Sequence, residues 1–171
     1  MPAKWTDFVS GAVLTAAQLN GVLDDFSDIA IFNETQASAT NGGTATSGSY
    51  VKRTLNTTVV NNITGCSIAS SVITLAAGTY RLWASAPVFN VTTNSSRLQN
   101  TSDATTTQQG ASNFCSTDNY GYSVINAYFT IAASKNFEIQ TRVGATVSNN
   151  GYGAAAGFGN EIYTQVVIQR V

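Results

Sequence analysis

Over much of the chain, apolar residues recur at every second position. The longest example is TYRLWASAPVF, where Tyr80, Leu82, Ala84, Ala86 and Val88 fall on one side and Arg81, Trp83 and Ser85 on the other. A period of two is the spacing of a β-strand, whose side chains alternate across a sheet; a helix would require spacings of three and four. Phe137, Ile139, Thr141 and Val143 alternate in the same way with Asn136, Glu138, Gln140 and Arg142. NEIYTQVVIQRV sets Ile162, Val166 and Ile168 against Tyr163, Gln165, Val167 and Gln169. Val51, Arg53, Leu55, Thr57 and Val59 form a further row opposite Lys52, Thr54, Asn56 and Thr58. A tight turn at Ala77-Gly78 separates 72–75 from the longest strand, and shorter segments lie at 65–70, 96–100, 110–115 and 123–131. Pro87 has no N–H to give a ladder, which places its end of the strand at an edge or bulge. Roughly eight to ten short strands with polar turns predict an all-β antiparallel sandwich, with the jelly roll as the favoured form.

The first third of the chain follows another rule. Residues 1–14 read as extended, with apolar anchors at Trp5, Phe8, Val13 and Leu14. Thr15 is a good N-cap for a helix predicted over 16–32, and Leu19, Val22, Leu23, Phe26, Ile29 and Ala30 form its apolar stripe. Gly21 weakens that helix by about 1 kcal/mol relative to Ala. A lone amphipathic helix cannot bury its own stripe, so it needs a partner: the head, sister helices or another protein. Asp7, Asp24, Asp25, Asp28 and Glu34 make this region acidic, with Lys4 the one opposing charge. NETQASATNGGTATSGS then reads as a polar linker or loosely held arm. The predicted division is an attachment arm and helix at 1–34, a linker at 35–49 and a β-head at 50–171.

Composition narrows the function. Hydrophobic residues make up 43 % of the 171-residue chain, enough for one domain with a real core. Charged residues make up only 10 %, against about a quarter in an ordinary soluble domain. The surface is instead rich in Thr, Ser, Asn, Gln and Gly, which suits contacts with other proteins or with sugars. A net charge of −1 and the lack of a basic run argue against nucleic acid as a partner. No apolar run reaches the roughly 18 residues of a membrane span, and MPAKWTDF lacks the apolar stretch of a signal peptide. Synthesis and folding in a cytoplasm are therefore expected. Cys66 and Cys115 are expected to be reduced there, although spacing alone does not settle whether they pair. For the same reason the six Asn-x-Ser/Thr triplets are read as a product of composition rather than as glycosylation sites.

The inventory is poor for catalysis. The chain has no histidine, which removes the commonest general base and metal ligand. Two cysteines cannot make a structural zinc site. Asp24, Asp25 and Asp28 read as a solvated or partner-facing acidic face, and nothing brings Asp103 and Asp118 together as a glycosidase pair. No catalytic residue, metal or cofactor is expected, and the chain is not read as an enzyme. GYGAAAGFG precedes a strand rather than a helix, so it is no phosphate loop; its small residues read as a close-packing element at a subunit contact. Trp83, Tyr128 and Tyr163 fall opposite their strands' apolar rows, as a second apolar layer or a subunit interface would require. Tyr120 and Tyr122, in the predicted loop DNYGYS, are the candidates for stacking on a sugar.

Two stretches resemble known proteins. WTDFVSGAVLTAAQLNGVLDDF is similar to a short opening found on tail-fibre, head-fibre and minor structural proteins of tailed phages. The residues that match are Trp5, Gly11, Val13, Leu14, Thr15, Ala16, Ala17, Leu19, Asn20 and Asp24. ITLAAGTYRLWASAPVF, SSRLQN, YFTIAASKNFEIQTRV and GYGAAAGFGNEIYTQVVIQ resemble the C1q/TNF-like jelly-roll heads of phage fibre proteins. The resemblance implies a homotrimer on the virion surface, made in the bacterial host cytoplasm, with Phe158, Tyr163 and Tyr128 at the subunit interface. It implies attachment to capsid or tail proteins through Trp5, Phe8, Leu14, Leu19, Val22, Phe26 and Ile29. A head that recognises a host-surface glycan through Tyr120 and Tyr122 is the alternative. The Gly-X-Y stalk of the animal relatives is absent, which favours a knob close to the particle.

Overall fold

A computed structural model describes Gly11, Val13, Thr15, Ala16 and residues 28–171. Of the expected attachment residues, Trp5, Phe8, Leu14, Leu19, Val22 and Phe26 lie outside the described residues, as does most of the predicted helix.

The described residues form twelve strands: β1 (Ile29–Gln36), β2 (Val51–Lys52), β3 (Thr57–Asn61), β4 (Ser67–Ala69), β5 (Val72–Leu75), β6 (Gly78–Phe89), β7 (Thr92–Asn100), β8 (Thr105–Gln109), β9 (Asn113–Cys115), β10 (Tyr120–Ile131), β11 (Lys135–Val143) and β12 (Glu161–Arg170). They pair antiparallel in two sheets. One runs β10-β6-β12-β1-β3; the other runs β4-β5-β11-β7-β8, with β2 added on β11 and β9 on β7. From β5 to β7 and from β9 to β12, each successive strand crosses to the opposite sheet, which is the connectivity of a jelly roll.

The alternation read from the sequence is what closes the two sheets on each other. Tyr80, Leu82, Ala84, Ala86 and Val88 of β6 are buried, as are Phe137, Ile139, Thr141 and Val143 of β11. With Phe32, Leu98, Ile125, Val166 and Ile168 they fill the space between the layers. Phe129 bridges Tyr80 and Phe137 at ring separations of 5.9 and 5.2 Å. Each buried Val, Leu, Ile or Phe side chain contributes about 1.5–3 kcal/mol by leaving water. Pro87 lies in an inner strand, but the ladder from β6 to β12 ends at Ser85, so its missing N–H falls where β6 is locally an edge. Its carbonyl there accepts from Arg53 Nη1 at 2.7 Å.

Three sequence expectations are corrected. Residues 29–32 are strand, not the end of a helix: β1 inserts between β12 and β3 and gains a ladder on both sides, which outweighs helical spacing in the short segment IAIF. The head therefore starts at Ile29, an expected attachment residue that is instead a strand residue. The polar stretch 33–49 is not a loose linker either. After β1 it is zipped to 146–155: Gly42 N–H donates to the Gly153 carbonyl at 2.8 Å, and Ala45 and Val147 exchange two bonds of 3.0 and 2.9 Å. Lastly, Ile162 does not share the face of Val166 and Ile168: two residues of β12, Tyr163 and Thr164, stand opposite Glu34 alone, and this bulge reverses the alternation and leaves Ile162 exposed.

Candidate functional site

The outer face of the five-stranded sheet carries exposed aromatic and aliphatic side chains. Register places Trp83 of β6 beside Asn126 of β10 and Val167 of β12, and Ile31 of β1 between Val167 and Val60 of β3. Cross-strand neighbours on one face are close enough to act as a unit. Trp83 is 39 % exposed and Tyr128 64 %, and both line a shallow depression of about 420 Å³ together with Arg81, Asn126, Val167 and Gln169. The Arg81 guanidinium lies 6.0 Å from the centre of the Tyr128 ring. Trp83 and Tyr128 thus occupy the outward positions that the alternation assigned to them.

Tyr163, expected opposite the apolar row, is instead only 6 % exposed, because β12 carries an extra residue at Tyr163/Thr164 opposite Glu34 and that bulge turns Tyr163 inward. The chain covers it with its own segments: its hydroxyl donates to the Thr40 carbonyl at 2.8 Å, and Gly153 packs flat against its ring. Burial pushes its phenol pKa up to about 12. Little of Tyr163 remains for a neighbouring subunit. The close-packing reading of GYGAAAGFG applies within the chain for Gly151 and Gly153, which press on Ala45 and Tyr163. Phe158, at the tip of the same segment, is 97 % exposed. The base of that tip is tied by Glu161, whose carboxylate accepts from the N–H groups of Gly157 (2.7 Å), Ala156 (3.1 Å) and Ala39 (3.1 Å). Those bonds, Gly157 and Ala156 first, hold the carboxyl below the usual range.

Tyr120 and Tyr122 belong to β10, not to a loop. Pairing with Phe89 and Pro87 carries the ladder through DNYGYS. Both point outward and stack at 6.0 Å and 19°. Phe89 packs edge-on against Tyr120 at 5.3 Å, and the Tyr120 hydroxyl donates to the Ala154 carbonyl.

Sequence reasoning missed the polar tie between the sheets. Glu34, opposite the bulge in β12, accepts from Arg53 Nη2 at 2.9 Å and from Thr164 Oγ1 at 2.7 Å. Arg53 also donates to the carbonyls of Pro87 and Tyr152, and its guanidinium lies 4.1 Å from the centre of the Tyr152 ring. Both charged side chains are buried. The available signal was an arginine in the apolar row of Val51 and Leu55.

Asp103, Lys135 and both cysteines are committed to structure. Asp103 bonds Lys135 at 2.5 Å and Asn100 at 2.9 Å. Cys66 and Cys115 are free and buried in separate apolar clusters, and burial pushes the Cys66 thiol up to about 11. No group of three metal-ligating side chains occurs among the described residues.

No family model matches the sequence, and no curated protein matches it. Solved structures do match in shape. Murine APRIL superposes with a TM-score of 0.52 at 9 % identity, covering 82 % of this chain and 98 % of that one. The globular domain of a zebrafish complement 1qA protein superposes with a TM-score of 0.50 at 14 % identity, covering 81 % and 94 %. At such identities the likeness is one of fold, and the fold from Ile29 onward is a C1q/TNF-like jelly roll.

Proposed function

We propose that this chain is a homotrimeric structural protein of a phage particle, its head projecting outward and its N-terminal segment docking on capsid or tail proteins. The observation that carries the trimer is the apolar outer face around Trp83, Tyr128 and Val167. Soluble monomers rarely leave a contiguous patch of that kind in water. The C1q/TNF-like fold supports the same reading, and the exposed Phe158 is a further contact. The opening segment's resemblance to phage structural proteins supports the virion role and the virion-surface location.

Light scattering on the full chain tests the trimer: about three times 17.9 kDa is expected, and a stable monomer rejects it. Because the head starts at Ile29, the attachment test removes residues 1–27. A folded trimer that no longer joins particles is expected; a truncated chain that still joins them rejects the docking role.

The stacked Tyr120–Tyr122 pair supports a second reading, a flat aromatic platform for a host-surface glycan. Tyr122→Ala should then abolish saturable binding to host cells while leaving the mass unchanged.

A further inference from the structure

The other sheet carries a groove of different chemistry. Where β9 joins β7 and β11 ends, an open groove of about 780 Å³ is lined by Tyr50, Thr93, Ser95, Asn113, Phe114 and Arg142, among others. Ladder register sets Arg142 beside Ser95 and Thr93 beside Phe114, so these side chains sit on one rigid surface. Its walls are held in place. Arg97 lies 4.0 Å from the centre of the Tyr50 ring, and Gln109 Nε2 donates to the Tyr50 hydroxyl at 2.7 Å. Gly144 N–H donates to the Thr93 carbonyl at 2.8 Å, and a side chain at Gly144 would collide with the Thr92 and Thr93 hydroxyls.

Two groups in this groove are left over from the fold's own bonding. Arg53, Arg97 and Arg170 make hydrogen bonds and Arg81 lies over Tyr128, whereas Arg142 is exposed and has neither hydrogen bond nor ion pair among the described residues. No carboxylate lines the groove to neutralise it. Phe114 is 71 % exposed on a strand of only three residues. Between them stand hydroxyls and an amide.

One unneutralised guanidinium, one open aromatic face and a row of short hydrogen-bonding groups match the parts of an acidic sugar. A guanidinium grips a carboxylate through two parallel bonds. An aromatic ring covers the C–H face of a pyranose, and hydroxyls and amides read the ring hydroxyls. A polyphosphate or nucleic acid would call for several cations, and only Arg142 is here. We propose that the groove binds a carboxylate-bearing pyranose, a hexuronate or a sialic-acid-type sugar. Arg142 takes the carboxylate, Phe114 the ring face, and Ser95, Thr93 and Asn113 the hydroxyls. The Tyr120 and Tyr122 rings do not line the groove, although Asn113 Nδ2 donates to the Tyr122 carbonyl at 3.4 Å, and the site does not depend on the trimer.

The test is calorimetric titration of the full chain with methyl glucuronide, a methyl sialoside, neutral methyl glucoside and inorganic phosphate. One of the two acidic sugars should saturate at roughly millimolar concentration, with the glucoside at least about tenfold weaker. Arg142→Gln should weaken binding by about tenfold or more, and Arg142→Lys less, because it keeps the charge but not the two-pronged geometry. Phe114→Ala should weaken it severalfold, whereas Tyr122→Ala leaves it unchanged. Circular dichroism and mass must match the parent for every variant. The proposal is overturned if neither acidic sugar saturates, if the glucoside binds equally well, if phosphate competes as well as the sugar, or if Arg142→Gln binds like the parent.

Discussion

The two sheets share one core and present opposite exteriors. Outside the five-stranded sheet, the cross-strand row is Asn126, Trp83, Val167, Ile31 and Val60. Outside the seven-stranded sheet, Arg97 donates twice to Gln140 Oε1 at 2.9 and 2.7 Å and once to Thr106 at 3.1 Å. Gln140 in turn donates to Glu138, which pairs with Lys52 at 3.6 Å. Away from the Arg142 groove, this part of the second exterior has satisfied its own polar groups side to side. The first sets Trp83, Val167, Ile31 and Val60 side by side, and covering that apolar row lowers its free energy. A β-sandwich of low charge need not be uniformly sticky: under the proposed function, the sheet that keeps the apolar outer row is the one that directs association.

The largest way to disturb this comparison is to break what holds both exteriors at once. Glu34→Ala leaves Arg53 buried without its carboxylate, and a loss of about 3–5 kcal/mol is expected in urea unfolding. Replacing both partners together by apolar residues should cost much less; an equal cost would mean that shape rather than charge matters there.

Next comes the contrast itself. Trp83→Asp should dissociate the oligomer, at a cost of about 2 kcal/mol or more, while the folded head persists. Thr106→Asp on the opposite exterior should leave the mass unchanged. If both variants, or neither, alter the mass, the assignment of faces is wrong.

A smaller effect is expected from Arg97→Ala, about 1 kcal/mol of stability, since its partners keep access to water. The smallest concerns the tip bearing Phe158. Glu161 has a depressed pKa in the folded state, so its contribution is present above the unfolded value and is lost as pH falls through the folded one. Acidification below the ordinary glutamate range should therefore loosen residues 154–159 before the sheets, and faster amide exchange at Ala156 and Gly157 would report it. Glu161→Gln should show the same loosening at neutral pH and lose the pH response.

Much of this was legible in the chain. A strand's period of two is a local property, so β6, β11 and most of β12 could be read directly, including the outward placement of Trp83 and Tyr128. Tyr163 and Ile162 were placed on the wrong faces, because the bulge in β12 that reverses the alternation is set by pairing with β1, more than a hundred residues away. DNYGYS has the composition of a turn, and only the ladder with Phe89 and Pro87 makes a strand of it from Tyr120 onward. Glu34 and Arg53 lie 19 residues apart on segments of opposite sheets, and no spacing rule predicts that they meet.

By itself, then, the sequence determined which residues face inward along the regular stretches of each long strand, and with that the all-β class, because alternation is set by backbone geometry one residue at a time. Tertiary structure alone decided where the head begins, which outward residues stay exposed, and which polar groups are consumed inside the fold. Each of those depends on distant segments competing for the same hydrogen bonds and the same surface. IAIF became a strand because β3 and β12 offered it ladders on both sides. Arg142 remained unpaired because β7 and β11 brought it beside Ser95 rather than beside a carboxylate.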